Sequence, residues 1–279
     1  MRIAWMVLMC GLVLEIPQTA AAAEGGKLLP TAGLARQVRS VGLLMSDSPP
    51  GTTLESRRRT GFVVRDRISQ FIIDQIEAKP DITRDQLLAQ LRAILCTSPG
   101  QVCDCNHPPY IFLNSSWGGS KAAWPFVVAY QMSLGFMGGK GDVTVVESYL
   151  VEGGNARRAA RGGGEFDGYV VNFQLIQQFY DPSEIWVLAW GTVQGASGRG
   201  LAGRAAVYRA ATDTVKIAWD DARECNLTAQ LNEIGWEVNY ADCDRLYGNE
   251  AKPYFLDVYE IDYMKRTFAR VVHYQHGEN

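Results

Sequence analysis

Cys96, Cys103, Cys105 and His107 fall within one stretch, CTSPGQVCDCNHPP, and thiols and an imidazole that close together pose a choice between a disulfide knot and a metal centre. As a metal centre the ligands are Cys103, Cys105 and His107, with Cys96 available as a fourth, because thiolate and imidazole suit zinc or copper. The C-x-C-x-H spacing lacks the paired C-x-x-C knuckles of a zinc ribbon, however, and Pro108 and Pro109 stiffen the chain just beyond the histidine. The choice turns on the compartment in which the chain matures.

That compartment is indicated by the amino terminus. Arg2 precedes the apolar run IAWMVLMCGLVLEIP and the small-residue stretch QTAAAAEGG, the order of a cleavable secretory signal over residues 1–23 with cleavage between Ala23 and Glu24. The apolar core is shorter than a spanning helix needs, and no later segment is long and apolar enough to span, so export to the periplasm or the medium without a membrane anchor is expected. Cys10 sits inside the apolar core, behind Met9, which disfavours lipid attachment. Exported thiols tend to pair. With Cys10 removed, Cys96, Cys103, Cys105, Cys225 and Cys243 remain, an odd number. The simplest scheme joins Cys96 to Cys103 or Cys105, and Cys225 to Cys243, with the metal site as the alternative.

Other chemistry rests on carboxylates and aromatics. The chain has no G-x-S-x-G, H-E-x-x-H, P-loop or dinucleotide fingerprint, and no cofactor is expected. Glu165 and Asp167, and likewise Glu260 and Asp262, stand two apart, so each pair shares a face if its segment is a strand. Such pairs suit a glycosidase, which needs two carboxyl groups about 5–10 Å apart. Asp142, Asp220 and Asp221 could offer oxygen ligands to calcium, but without EF-hand spacing. His273 and His276 are expected at a frayed terminus. The polar, small-residue loop NSSWGGSKAAWP places Trp117, Lys121 and Trp124 near solvent, a platform for an envelope glycan or a protein partner, unless the two indoles cap the end of the β-core. Arg57, Arg58 and Arg59 form a short basic run, but a net charge of −3 is no footprint for nucleic acid.

The elements that position these residues follow from periodicity. With 47% hydrophobic and 20% charged residues the chain has the composition of a folded globule. Residues 24–53 read as a glycine- and proline-punctuated linker touching the fold at Leu34, Val38 and Val41. Over 54–98 the period is helical: Phe62, Arg65, Ile68, Phe71 or Ile72, and Ile76 mark one helix, Pro80 ends it, and Thr83 with Gln86 opens a second along Leu87, Leu91 and Ile94. This predicts a helical hairpin, followed by the Cys/Pro-rich loop 99–109 and a β-domain over 110–279. Its short strand-like runs between turn residues predict antiparallel pairing as a sandwich, barrel or propeller-like sheet, giving an α+β fold. EIWVLAWGTV is apolar on both faces and is expected to be central, VTVVESYLV reads as an outer strand, and CNLTAQLNEIG is undecided.

The stretch WVLAWGTVQGASGRGLAGRAAVYRAATDTVKIAWDDA resembles a strand–turn–strand signature of uncharacterised exported bacterial proteins. It covers roughly 40 residues and implies an antiparallel β-domain behind a signal peptide, with no catalytic residue to carry over. The sequence therefore points to an exported, noncatalytic binding or cell-envelope interaction protein, with a carbohydrate-active hydrolase as the alternative.

Overall fold

A computed structural model describes residues 31–46, 53–96, 109–113, 117, 124–132, 143–176, 184–194, 201–223, 227–241 and 254–276. Its helices are α1 (Thr31–Ser46), α2 (Leu54–Ala78) and α3 (Arg84–Leu95). Thr53 and Thr83 open α2 and α3 by the same device, each side-chain oxygen accepting a backbone N–H three residues on at 3.1 Å. Gln86 returns the bond to the Thr83 nitrogen, so orphan donors of the first turn are satisfied in both directions. Pro80 stands between the two helices, where its fixed φ and missing N–H suit a turn. α1 occupies part of the segment expected as a linker, and its Leu34 and Val38 are buried. The side chain of Val41 lies outside the described residues.

Among the described residues the strands form three antiparallel sheets of four, each in unbroken chain order. Sheet one is β1 (Tyr110–Phe112), β2 (Trp124–Met132), β3 (Val143–Glu152) and β4 (Asn155–Gly162). Sheet two is β5 (Val170–Ile176), β6 (Ile185–Gln194), β7 (Leu201–Ala210) and β8 (Val215–Arg223). Sheet three is β9 (Thr228–Leu231), β10 (Gly235–Ala241), β11 (Tyr254–Asp262) and β12 (Thr267–His276).

Strand alternation stacks these sheets. In β2, Phe126, Val128 and Tyr130 face the helices and join Ile68, Phe71, Leu87 and Leu91 in one core. Val127 and Ala129 point the other way, toward Val187, Ala189, Ala206 and Tyr208 of sheet two. The far side of sheet two presents Trp186, Leu188, Ala205 and Val207 to Trp236, Val238 and Tyr240 of sheet three. The layers therefore run helices, sheet one, sheet two, sheet three.

β6 lies inside the middle layer and is buried on both faces from Ile185 to Ala189, as its two-sided apolar pattern requires. β3 corrects the expectation of an outer strand: it lies between β2 and β4 and is buried from Val143 to Val151. Its polar residue Glu147 is hidden by charged partners rather than by water. The undecided CNLTAQLNEIG contains β9. One close approach demands glycine: a Cβ at Gly203 would sit 2.4 Å from Leu227 Cβ and 2.7 Å from the Leu227 nitrogen, where the chain passes from sheet two to sheet three.

Candidate functional site

The paired acids are placed very differently. Glu165 and Asp167 are not on a strand but on a 3-10 turn, Gly164–Phe166, that joins β4 to β5, so the expected shared strand face is corrected. Gly163 enters that turn at φ 105°, a conformation open to glycine. The turn sends the two carboxylates to different sheets. Glu165 Oε2 accepts from the Tyr208 hydroxyl of β7 at 2.8 Å and from the Gly163 N–H at 3.0 Å. Asp167 Oδ1 accepts the Thr144 N–H of β3 at 2.9 Å. Both act as structural acceptors that staple sheets one and two.

Burial pushes the Asp167 carboxyl up to about 6, outweighing the Thr144 hydrogen bond and the pull of Arg58 and Arg65. A folded-state value above the unfolded one means the native state holds its proton longer, so this group stabilises below about pH 4 and loses that contribution as pH rises through 6. Asp167→Asn keeps an oxygen for Thr144 and removes the titration. Its melting temperature should exceed that of the wild type at pH 8 and match it at pH 4; the opposite order would show that the carboxylate is favoured by its site.

Glu260 and Asp262 do share a face at the end of β11. Asp262 closes the β11–β12 turn, accepting the Lys265 N–H at 3.0 Å and pairing with Lys265 Nζ at 2.8 Å, while Glu260 is exposed. Both line an open depression of about 580 Å³ that also includes Phe268.

The tryptophans correct the expected solvent platform and take the core-capping alternative. Trp124 is only 8% exposed, and Trp117 is half-buried with Nε1 donating to the Ile82 carbonyl at 2.6 Å. Their rings lie 4.8 Å apart and both pack on Phe126, so they close the end of the helix-side core. Trp124 belongs to β2, whose alternation turns its ring inward with Phe126 and Val128. Lys121, Cys103, Cys105, His107, Cys225 and Cys243 lie outside the described residues. Cys96 ends α3 and is not a free thiol. Among the described residues no cluster of His, Cys, Asp and Glu is poised to hold a metal.

Sequence reasoning missed three buried carboxylates. Glu147 of β3 accepts from Ser69 of α2 at 2.8 and 2.9 Å, from Tyr149 at 2.5 Å, and from Arg161 of β4. Arg161 also reaches Asp66 of α2 at 2.6 Å, so α2 is pinned to sheet one by charge as well as by apolar contact. Glu184, at the start of β6, binds Arg209 of β7 and Arg266 of the β11–β12 turn, tying sheet two to sheet three. Asp257 of β11 lies 2.5 Å from His273 Nδ1, with Tyr240 and Arg270 at 3.3 and 3.4 Å. His273 is therefore held within β12, not at a frayed end as its position in the sequence suggests. The Arg223 guanidinium, the Tyr240 and Phe255 rings and the His273 imidazole form a continuous stack beside it.

The outer face of sheet three differs from every other sheet face. Tyr254, Leu256 and Val258 of β11 lie opposite Ala241, Asn239 and Glu237 of β10 and beside Tyr274 and Val272 of β12. These point away from the Trp236 core, and among the described residues no layer covers them. Tyr254 is 50% exposed. Glu260 and Asp262 continue the same face. Among the described residues no helix is long and apolar enough to cross a membrane. Compared with protein-family models, curated proteins and solved structures, the chain matches none.

Proposed function

We propose that the protein is an exported, noncatalytic binding module of the cell envelope that docks a protein or glycan partner on the outer face of sheet three. The observation that carries the reading is that face itself: among the described residues the helices end the stack on one side, while the other side presents Tyr254 and Val272, exposed, beside Leu256 and Val258, half-buried. Exposed apolar patches of this kind mark interaction sites. The stack of four-stranded meanders is read as propeller-like, and the helical hairpin of α2 and α3 as its cap. Disulfides fit the same reading, since Cys96 is engaged at the entrance to the cysteine loop. Cleavage after Ala23 is part of the proposal: protein recovered from the native host should begin at Glu24, and a mature chain beginning at Met1 would contradict export by a cleaved signal.

The test is co-sedimentation of the mature protein with isolated host envelopes. Replacing Tyr254 and Val272 by serine should weaken retention roughly thirty-fold, each lost contact being worth on the order of 1 kcal/mol, with the melting temperature unchanged. Full retention by that variant would refute the face as the binding surface.

One observation favours the hydrolase as a second reading. Glu260 and Asp262, neighbours on the outer face at the end of β11, line a depression in which two acids stand side by side, and the inward-packed Phe268 contributes to its wall. If they hydrolyse a glycan, Glu260→Gln abolishes turnover by orders of magnitude while retention on envelopes persists. If the module only binds, no turnover is found in the wild type.

A further inference from the structure

The outer face of sheet three is divided. Its β9–β10 half carries Thr228, Gln230, Glu237 and Asn239, whereas its β11–β12 half carries Tyr254, Leu256, Val258 and Val272, giving way to Glu260 and Asp262 only at the end of β11. The apolar half thus runs up to β12, the edge strand.

Every other sheet edge is defended. β1 and β9 are three and four residues long. α2 lies along β4, through Asp66 to Arg161 and through Glu77 to the Ala156 N–H. At β5, the Gln131 side chain of sheet one donates to the Tyr169 carbonyl and accepts the Val171 N–H. β8 carries Lys216, Asp220, Asp221 and Arg223. Short length, cover and charge are the usual devices against edge-to-edge pairing. β12 is the least defended: its ten residues, TFARVVHYQH, include no proline, lysine or acid, its arginine is engaged by Asp257, its irregularity is a register shift at Val271, and among the described residues no strand lies beyond it. Val271 and Val272, at its middle, are 46% and 42% exposed.

We infer that β12 pairs antiparallel with β12 of a second copy of this chain, about a twofold axis near Val271 and Val272, fusing the two third sheets into one of eight strands. Two identical antiparallel edges form an isologous contact that closes and consumes both open edges at once. Charge permits it, because the strand has no acid and its arginine, Arg270, is held by Asp257 of its own copy. Ten residues span about 33 Å, and a strand contact of that length with side chains on both faces covers roughly 700 Å² in total, which belongs with weak, reversible associations. The inference rests on the reading of the outer face as the working surface, which the axis doubles into one continuous patch.

Sedimentation velocity of the mature protein between about 1 and 200 µM should show a monomer–dimer equilibrium with a dissociation constant on the order of 10 µM. Val272→Lys and Val272→Glu should each be monomeric throughout with unchanged melting, and an equimolar mixture should dimerise again, because opposite charges then meet at the axis. Val271→Lys and Val271→Glu provide the same test if the first pair does not fold. Wild type that stays monomeric, single variants that still dimerise, or mixtures that stay monomeric would each overturn the pairing. A monomeric wild type that still sediments with envelopes overturns the pairing and spares the binding face. A dimer that ignores envelopes does the reverse.

Discussion

Glu147→Ala should lower the stability of the folded protein by about 3 kcal/mol, the cost of removing one partner of a buried ion pair and leaving a buried hydroxyl without an acceptor. Glu147 is 0% exposed and accepts from Ser69, Tyr149 and Arg161. Removing it leaves the Arg161 guanidinium with Asp66 as its remaining charged partner and deprives the buried Tyr149 hydroxyl of its acceptor, while Ser69 keeps the Arg65 carbonyl. For a chain of this size that corresponds to a fall in melting temperature of about 10 °C. Glu147→Gln, which keeps an acceptor but no charge, should lie between the two. A buried ion pair need not itself stabilise relative to an apolar replacement, so the diagnostic is the asymmetry: losing one partner is costly. An alanine variant within about 1 kcal/mol of the wild type in urea unfolding would show that Arg161 is satisfied elsewhere.

The second large effect belongs to the contact between sheets two and three. Trp236 is fully buried, stacked on Tyr259 at 5.3 Å and tilted against Trp219 and Phe268 at 5.2 Å each. Trp236→Ala should cost about 3–5 kcal/mol through lost burial and the cavity left behind. Trp236→Phe should cost far less, about 1–2 kcal/mol, because the buried indole N–H finds no acceptor among the described residues and its removal offsets part of the lost volume. Urea unfolding of both variants decides it. If both cost equally, the indole nitrogen is engaged in solution; if neither costs much, the two sheets are not packed through this residue.

Periodicity exposed the helices and strands because each buries a single repeating stripe or alternate face. The two-sided apolar run Ile185–Ala189 marked the middle layer. Glu147 was the place where the same logic failed: a glutamate in a strand reads as solvent contact, and the partners that bury it lie 14 and 78 residues away in the chain, at Arg161 and Ser69. The same distance problem hid Asp257 and His273, which are neighbours only once β11 and β12 pair. The solvent platform at Trp117 and Trp124 rested on small polar neighbours that suggest a surface loop, whereas the strand beginning at Trp124 turns that ring inward onto Phe126 and leaves the capping alternative. The spacing of Glu165 and Asp167 implied a shared face only if the segment were a strand, and Gly163 makes it a turn. The outer face of sheet three was not legible at all, since exposure of Tyr254 and Val272 depends on which sheet ends the stack.

Amide hydrogen exchange of the mature protein, with and without isolated host envelopes, tests the docking face most directly. The account predicts that protection rises in residues 254–258 and 267–276, at the apolar half of sheet three, and stays unchanged around Trp117 and Trp124. Protection confined to the Trp117–Trp124 region, or an unchanged sheet three in protein that demonstrably sediments with the envelopes, would contradict it.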